Sequence, residues 1–194
     1  MTLNQVIQNM RVKNLRVLLS LFCFLLITHN GLQSAYADAH ESEEYRVKLA
    51  FIFNFAKFIE WPPESFQNPG APLKMCVLGN DPFGETVKIF EKKAIGERNF
   101  NTIRTKKVED ALGSQILFIS SSEKDRLDQI LRVVKGSTVL TVSDIPDFTR
   151  VGGIIGFTMS GDKIRFEINL ASARSSKLEI SSKLLKLAEK VRDQ

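Results

Sequence analysis

Catalysis in this chain would have to start from very few residues. Its 194 residues include 2 cysteines and 2 histidines. Cys23 and His29 stand in the N-terminal segment, Cys76 and His40 in the remainder. A thiol or hydroxyl nucleophile needs an imidazole beside it that is held by a third group. His40 lies in the polar stretch DAHESEE, where a solvated terminal residue is expected rather than a base. A single remaining thiol cannot form an intramolecular bridge, and no Cys/His cluster has the spacing of a zinc site. No catalytic, cofactor or metal residue is therefore assigned.

Two other sets of residues could act by binding. Asn80, Asp81, Ser120, Ser121, Ser143 and Asp144 follow apolar runs that read as strands. In open α/β sheets ligands gather at the carboxyl ends of strands, near a switch in strand order. These six form a candidate ligand cleft, although turn and helix-cap duty, which such residue types favour, is the weightier reading. The second set is Phe51, Phe55 and Phe58, which share a stripe with Val47 at helical spacing in YRVKLAFIFNFAKFIEW. Leu49, Ile52, Phe53, Ala56 and Ile59 cover much of the rest, so this helix is apolar nearly all round. Either its own core covers the stripe, or a second copy or a partner protein does. The three phenylalanines are thus a candidate partner or dimer interface, and a homodimer is expected.

The elements that must position these groups can be read from periodicity. The aromatic helix should run to Pro62-Pro63. A strand is expected at 75–79, a short helix at 85–93, a weaker strand at 99–105 and a strong strand at 115–120. The Ser120–Glu123 cluster caps a helix from about 124 to 134, which ends at Gly136, and TVLTVS gives the next strand at 138–143. Continuous aliphatic and β-branched runs point to strands covered on both faces, as in parallel sheets. After Gly152-Gly153, IIGFTM and KIRFEINL read as an antiparallel hairpin around Ser160-Gly161-Asp162. A last helix should group Leu184, Leu185, Ala188 and Val191. The expected fold is a three-layer α/β sandwich, with a mostly parallel sheet and a C-terminal antiparallel hairpin, flanked by helices.

Composition sets the wider frame. The chain is 43% hydrophobic and 25% charged, with a mean hydropathy of −0.07. Such values fit one globular domain and exclude a polytopic membrane protein or a wholly disordered chain. The formal net charge is +5. Residues 1–37 contribute Arg11, Lys13 and Arg16 and no acid, so the basicity gives little support to nucleic-acid binding. In order come this basic stretch, an apolar run at 17–28 and the small-residue site Ala35-Tyr36-Ala37, the pattern of a secretory signal peptide. The apolar run falls short of the roughly 20 residues of a spanning helix, which leaves an uncleaved anchor as the lesser alternative. Cys23 lies inside the run, against a lipoprotein signal. Cleavage is expected after Ala37, leaving 38–194 as one exported domain with its core at about 44–191.

Several segments together resemble the YfiR/HmsC-like family of periplasmic proteins. They are FIFNFAKFIEWP at 51–62, CVLGNDPFGE at 76–85, QILFISSSE at 115–123 and VLTVSD at 139–144. GGIIGF at 152–157, RFEINLASA at 165–173 and SSKLLKLA at 181–188 continue the series in order. The resemblance implies a regulator without catalysis of its own. Such proteins sit in the periplasm and repress an inner-membrane diguanylate cyclase by binding its periplasmic sensor domain. An OmpA-like outer-membrane lipoprotein can sequester the repressor, and cyclic di-GMP levels and biofilm formation change in response. The family often pairs the cysteine of CVLG with one at the start of the third strand. Here Cys76 is kept but Gln115 stands at the partner position, and a second pair flanking Gly152-Gly153 is missing, so redox control does not carry over.

The expected function is therefore a periplasmic protein-binding repressor of a membrane cyclase. The alternative, from another class, is a periplasmic small-molecule-binding sensor module that uses the strand-end cleft. A hydrolase ranks third, since no nucleophile–base pair assembles. GGIIGF is no cyclase signature, because the acidic residues that would follow it are missing.

Overall fold

A computed structural model describes residues 42–193. The signal-type segment, the Ala37 site and His40 lie outside the described residues. The compact unit considered below is Glu44–Gln194.

The apolar runs form one eight-stranded sheet. Its parallel centre holds β2 (Leu73–Leu78), β4 (Arg98–Thr105), β5 (Ile116–Ile119) and β6 (Leu140–Ser143). The short β3 (Ala94–Ile95) lies antiparallel on β4, and β7 (Ile155–Ser160) forms the expected hairpin with β8 (Lys163–Asn169). With β10 (Lys190–Arg192), the order is β10-β8-β7-β6-β5-β2-β4-β3, mostly parallel as expected. A separate two-stranded ribbon pairs β1 (Ile59–Glu60) with β9 (Glu179–Ile180).

Alternation along the strands divides the core in two. Met75, Val77, Ile116, Phe118, Leu140 and Val142 face a large cluster that includes Leu49, Ile52, Phe53 and Phe55 of α1, the helix at 42–55. Cys76, Leu78, Leu117 and Ile119 face a smaller cluster with α3 (Leu127–Val134) and the 3-10 turns at Val108–Gly113. Helix, sheet and helix give the three layers. The short α2 (Val87–Glu91) is set against β4, burying Val87 and Phe90.

Two expectations need correction. The aromatic helix stops before Trp61: its last turn tightens through Lys57 N–H to Asn54 O (3.0 Å) and Phe58 N–H to Phe55 O (2.9 Å), and Ile59 and Glu60 become β1. The larger difference concerns the last predicted helix. After α4 (Leu170–Ser175) and β9, Ser181 caps only one turn, α5 (Ser182–Leu185), and Val191 belongs to β10. The open edge of β8 captures the chain. Glu189 N–H donates to Phe166 O at 2.9 Å, and three residues then pair parallel to 167–169. Leu184, Leu185 and Ala188 keep their apolar contacts with the core from one turn and the loop after it, so helical spacing was no guide to the backbone there.

Candidate functional site

The strand-end residues are largely consumed by local structure. The chain passes from β2 to β4 on one side and back to β5 on the other, so the topological crevice lies between β2 and β5. The 3-10 turns at Ser121–Arg126 fill it. Ser122 Oγ accepts from Asn80 N–H at 2.9 Å, and Ser120 Oγ accepts from Ser122 N–H at 3.4 Å. Gly79, with φ +97°, is needed here because a Cβ would meet Ser122 Oγ at 2.5 Å and Glu123 Cγ at 2.7 Å. Asn80 Oδ1 accepts from Lys106 Nζ at 2.6 Å. Asp81 accepts from Phe83 N–H through one oxygen (2.8 Å) and pairs with Arg104 Nε through the other (2.6 Å). Ser121 is exposed, while Ser143, fully buried, donates to Ile119 O at 2.7 Å and accepts from Ile145 N–H. These are the bonds of turns and caps.

Asp144 stands apart from the other five. Its Oδ2 receives Lys48 Nζ at 2.6 Å and Tyr45 OH at 2.8 Å, both from α1. Lys48, 5% exposed, also reaches Glu44 Oε1 at 2.5 Å and lies 4.3 Å from the centre of the Tyr45 ring. The second carboxylate oxygen, Asp144 Oδ1, is buried without a hydrogen-bond partner. The arrangement joins the start of α1 to the end of β6 by buried charge. Sequence reasoning missed Lys48 and Tyr45. Their signal was a lysine at the start of the apolar run of α1, since a buried ammonium requires a carboxylate.

The aromatic stripe divides. Phe55 is 1% exposed and belongs to the core, with its ring 4.9 Å from Phe166 and 5.8 Å from Phe157. Phe51 and Phe58 are half-buried. With Phe55, Phe166 and Leu187 they line a groove of about 310 Å³ between α1, β8 and the segment that follows α5. Leu187 is 65% exposed on its rim, and Asn54 and Arg165 also border it. Leu187 was missed because it was placed in a helix without regard to which face it would present. Such a groove can take up an apolar side chain or helix face from another molecule and has no group suited to bond making.

Cys76 is free and fully buried. Gln115 takes a structural role at the head of β5: its Oε1 accepts from Lys74 N–H (2.9 Å), its Nε2 donates to Ser65 O (2.5 Å), and its carbonyl accepts from Trp61 Nε1 (3.2 Å). Among the described residues no group of His, Cys, Asp and Glu could hold a metal ion, and no helix is long and apolar enough to cross a membrane.

A three-layer α/β domain that carries an apolar aromatic groove is suited to binding. The chain belongs to the YfiR/HmsC-like family, whose model matches residues 45–189. That family has a periplasmic regulatory role in the context of cyclic di-GMP. Among solved structures the chain is similar to a conserved domain protein from Vibrio cholerae, with 10% identity and a TM-score of 0.47, over 62% of this chain and 55% of that one. It is also similar to an ABC domain in complex with L-Trp from Streptococcus pneumoniae, with 10% identity and a TM-score of 0.46, over 63% of this chain and 55% of that one. The chain thus spans little more than half the length of either structure.

Proposed function

We propose that this chain is a periplasmic repressor that binds the periplasmic sensor domain of an inner-membrane diguanylate cyclase and holds down cyclic di-GMP synthesis. The observation that carries the reading is the groove at Phe51, Phe58 and Leu187, an apolar docking surface on a member of the YfiR/HmsC-like family. Half-buried aromatics around a concave centre are the usual anchors of protein interfaces. The occupant is an apolar segment of the cyclase sensor. A homodimer and sequestration by an OmpA-like outer-membrane lipoprotein belong to the same proposal, with the exported form starting at Asp38. The chain itself catalyses nothing in this scheme.

The test is capture of the purified sensor domain by the wild-type protein and by Leu187→Asp, together with a cyclic di-GMP reporter in cells. Leu187 is exposed, so its replacement should leave the fold intact while weakening capture and raising the reporter signal. If neither this variant nor deletion of the gene changes cyclic di-GMP, the repressor reading fails. The second reading is a small-molecule-binding sensor module. It is favoured by one observation, the unpartnered and buried Asp144 Oδ1 at a strand end.

A further inference from the structure

A second groove, of about 400 Å³, runs between α3, the middle of β6, the loop at Val151-Gly152 and α4. Its volume falls within the range of small-molecule sites. Arg132 and Lys135 line it, both exposed, and neither side chain makes a hydrogen bond or ion pair within the described residues. Arg132 and Lys135, three residues apart at the end of α3, repel one another, and a bound anion offsets that repulsion.

The hydroxyls of the groove agree with this. Thr141, 4% exposed, accepts from Ile154 N–H at 2.9 Å through Oγ1, which leaves its hydroxyl hydrogen without an acceptor among the described residues. Ser176, 7% exposed as a residue, makes no side-chain hydrogen bond within the described residues, and its hydroxyl is open to solvent. Both hydroxyls are therefore free to donate to an acceptor that enters the groove. Leu131, Val151 and Ile154 supply an apolar wall. Asp128 is the single carboxylate in the lining, and it forms no ion pair with Arg132 one turn away.

We propose that this groove binds a small organic anion, with its carboxylate or phosphate head on Arg132, Lys135 and the Thr141 and Ser176 hydroxyls, and its apolar body against Leu131 and Val151. The site is separate from the aromatic groove and does not depend on the repressor reading.

The experiment follows backbone amide NMR spectra of the purified protein during separate additions of hydrocinnamate, phenyl phosphate and the neutral hydrocinnamide. Either anion should shift the Gly136, Gly152 and Ser176 amides along a saturable curve, and the stronger of the two identifies the head group. The neutral amide should bind about tenfold more weakly or worse, the usual loss when a charge-assisted hydrogen bond is missing. Arg132→Gln with Lys135→Gln should lose anion binding at an unchanged melting temperature, because both side chains are exposed. Should that pair melt earlier, Lys135→Gln alone carries the comparison. Asp128→Asn should tighten binding by removing a like charge. The proposal is overturned by equal binding of hydrocinnamide, by full affinity in the neutralised variant, by weaker binding in Asp128→Asn, or by shifts that never saturate up to about 10 mM ligand.

Discussion

Burial pushes the Cys76 thiol up to about 11, and the nearby charge of Asp110 adds to the effect. Only the thiolate is nucleophilic, so the thiol is doubly silent, by ionisation and by access. Ellman's reagent at pH 8 should leave Cys76 of the native 38–194 form unlabelled for hours and label it on unfolding in guanidinium; rapid labelling of the native form would show the strand to be open. Glu167 behaves oppositely. Burial alone would raise its carboxyl, but the Thr149 hydroxyl (2.8 Å), the Arg192 guanidinium (3.0 Å) and the charge of Lys190 hold it below the usual glutamate range. A carboxyl depressed on folding adds stability above its unfolded value of about 4.3, and that contribution is lost as pH falls through the folded value. The melting-temperature gap between the wild type and Glu167→Gln should therefore be largest near neutrality and close in acid. The burial of Cys76 was legible in its run of strand residues. The state of Glu167 was not, because its partner Arg192 sits on a strand that the sequence presents as a helix.

On the aromatic stripe, Phe55 at the end of α1 and Phe58 in the turn after it have different duties. Phe55 is enclosed by Phe157 and Phe166, so Phe55→Ala should cost about 3–5 kcal/mol, as large core truncations do. Phe58→Ala removes a ring that is already partly wetted and should cost less, leaving a folded protein with weakened partner capture. Thermal melts and sensor-domain binding of the two variants separate these roles; equal destabilisation would make the whole stripe core. The sequence displayed the stripe but not its division, because 3.6-residue spacing says which residues share a face and not how deep the opposing wall reaches. That wall is β8 and Leu187, over 100 residues away along the chain. The central strands were legible for a plainer reason. A run such as ILFI has both faces covered, which marks a strand within a parallel sheet. The last strand failed the same test, with three half-polar residues at an edge and little to distinguish them from the end of an amphipathic helix.

At the scale of the whole molecule, the buried group at Tyr45, Lys48 and Asp144 ties the helical layer to the sheet. Removing one partner of a buried pair strands the other charge, at about 3–5 kcal/mol, whereas replacing both with apolar or neutral groups costs far less. Lys48→Met and Asp144→Asn should each lower the melting temperature strongly, and the double variant should recover much of the loss; strict additivity would show the pair to be uncoupled. The bond between Lys48 and Asp144 also spans a sequence separation of 96 residues. Closing a flexible loop of that size costs about 4 kcal/mol in chain entropy before any contact offsets it. α1, although near the start of the described chain, is thus expected to dock late, after β6 has found its place. A contact made after the folding barrier leaves the folding rate alone and slows unfolding, so breaking it should raise the unfolding limb of a chevron and leave the folding limb in place. Until that docking, the phenylalanines of α1 face water. A chain in this state would offer its stickiest segment to any chaperone it meets for the whole of its search.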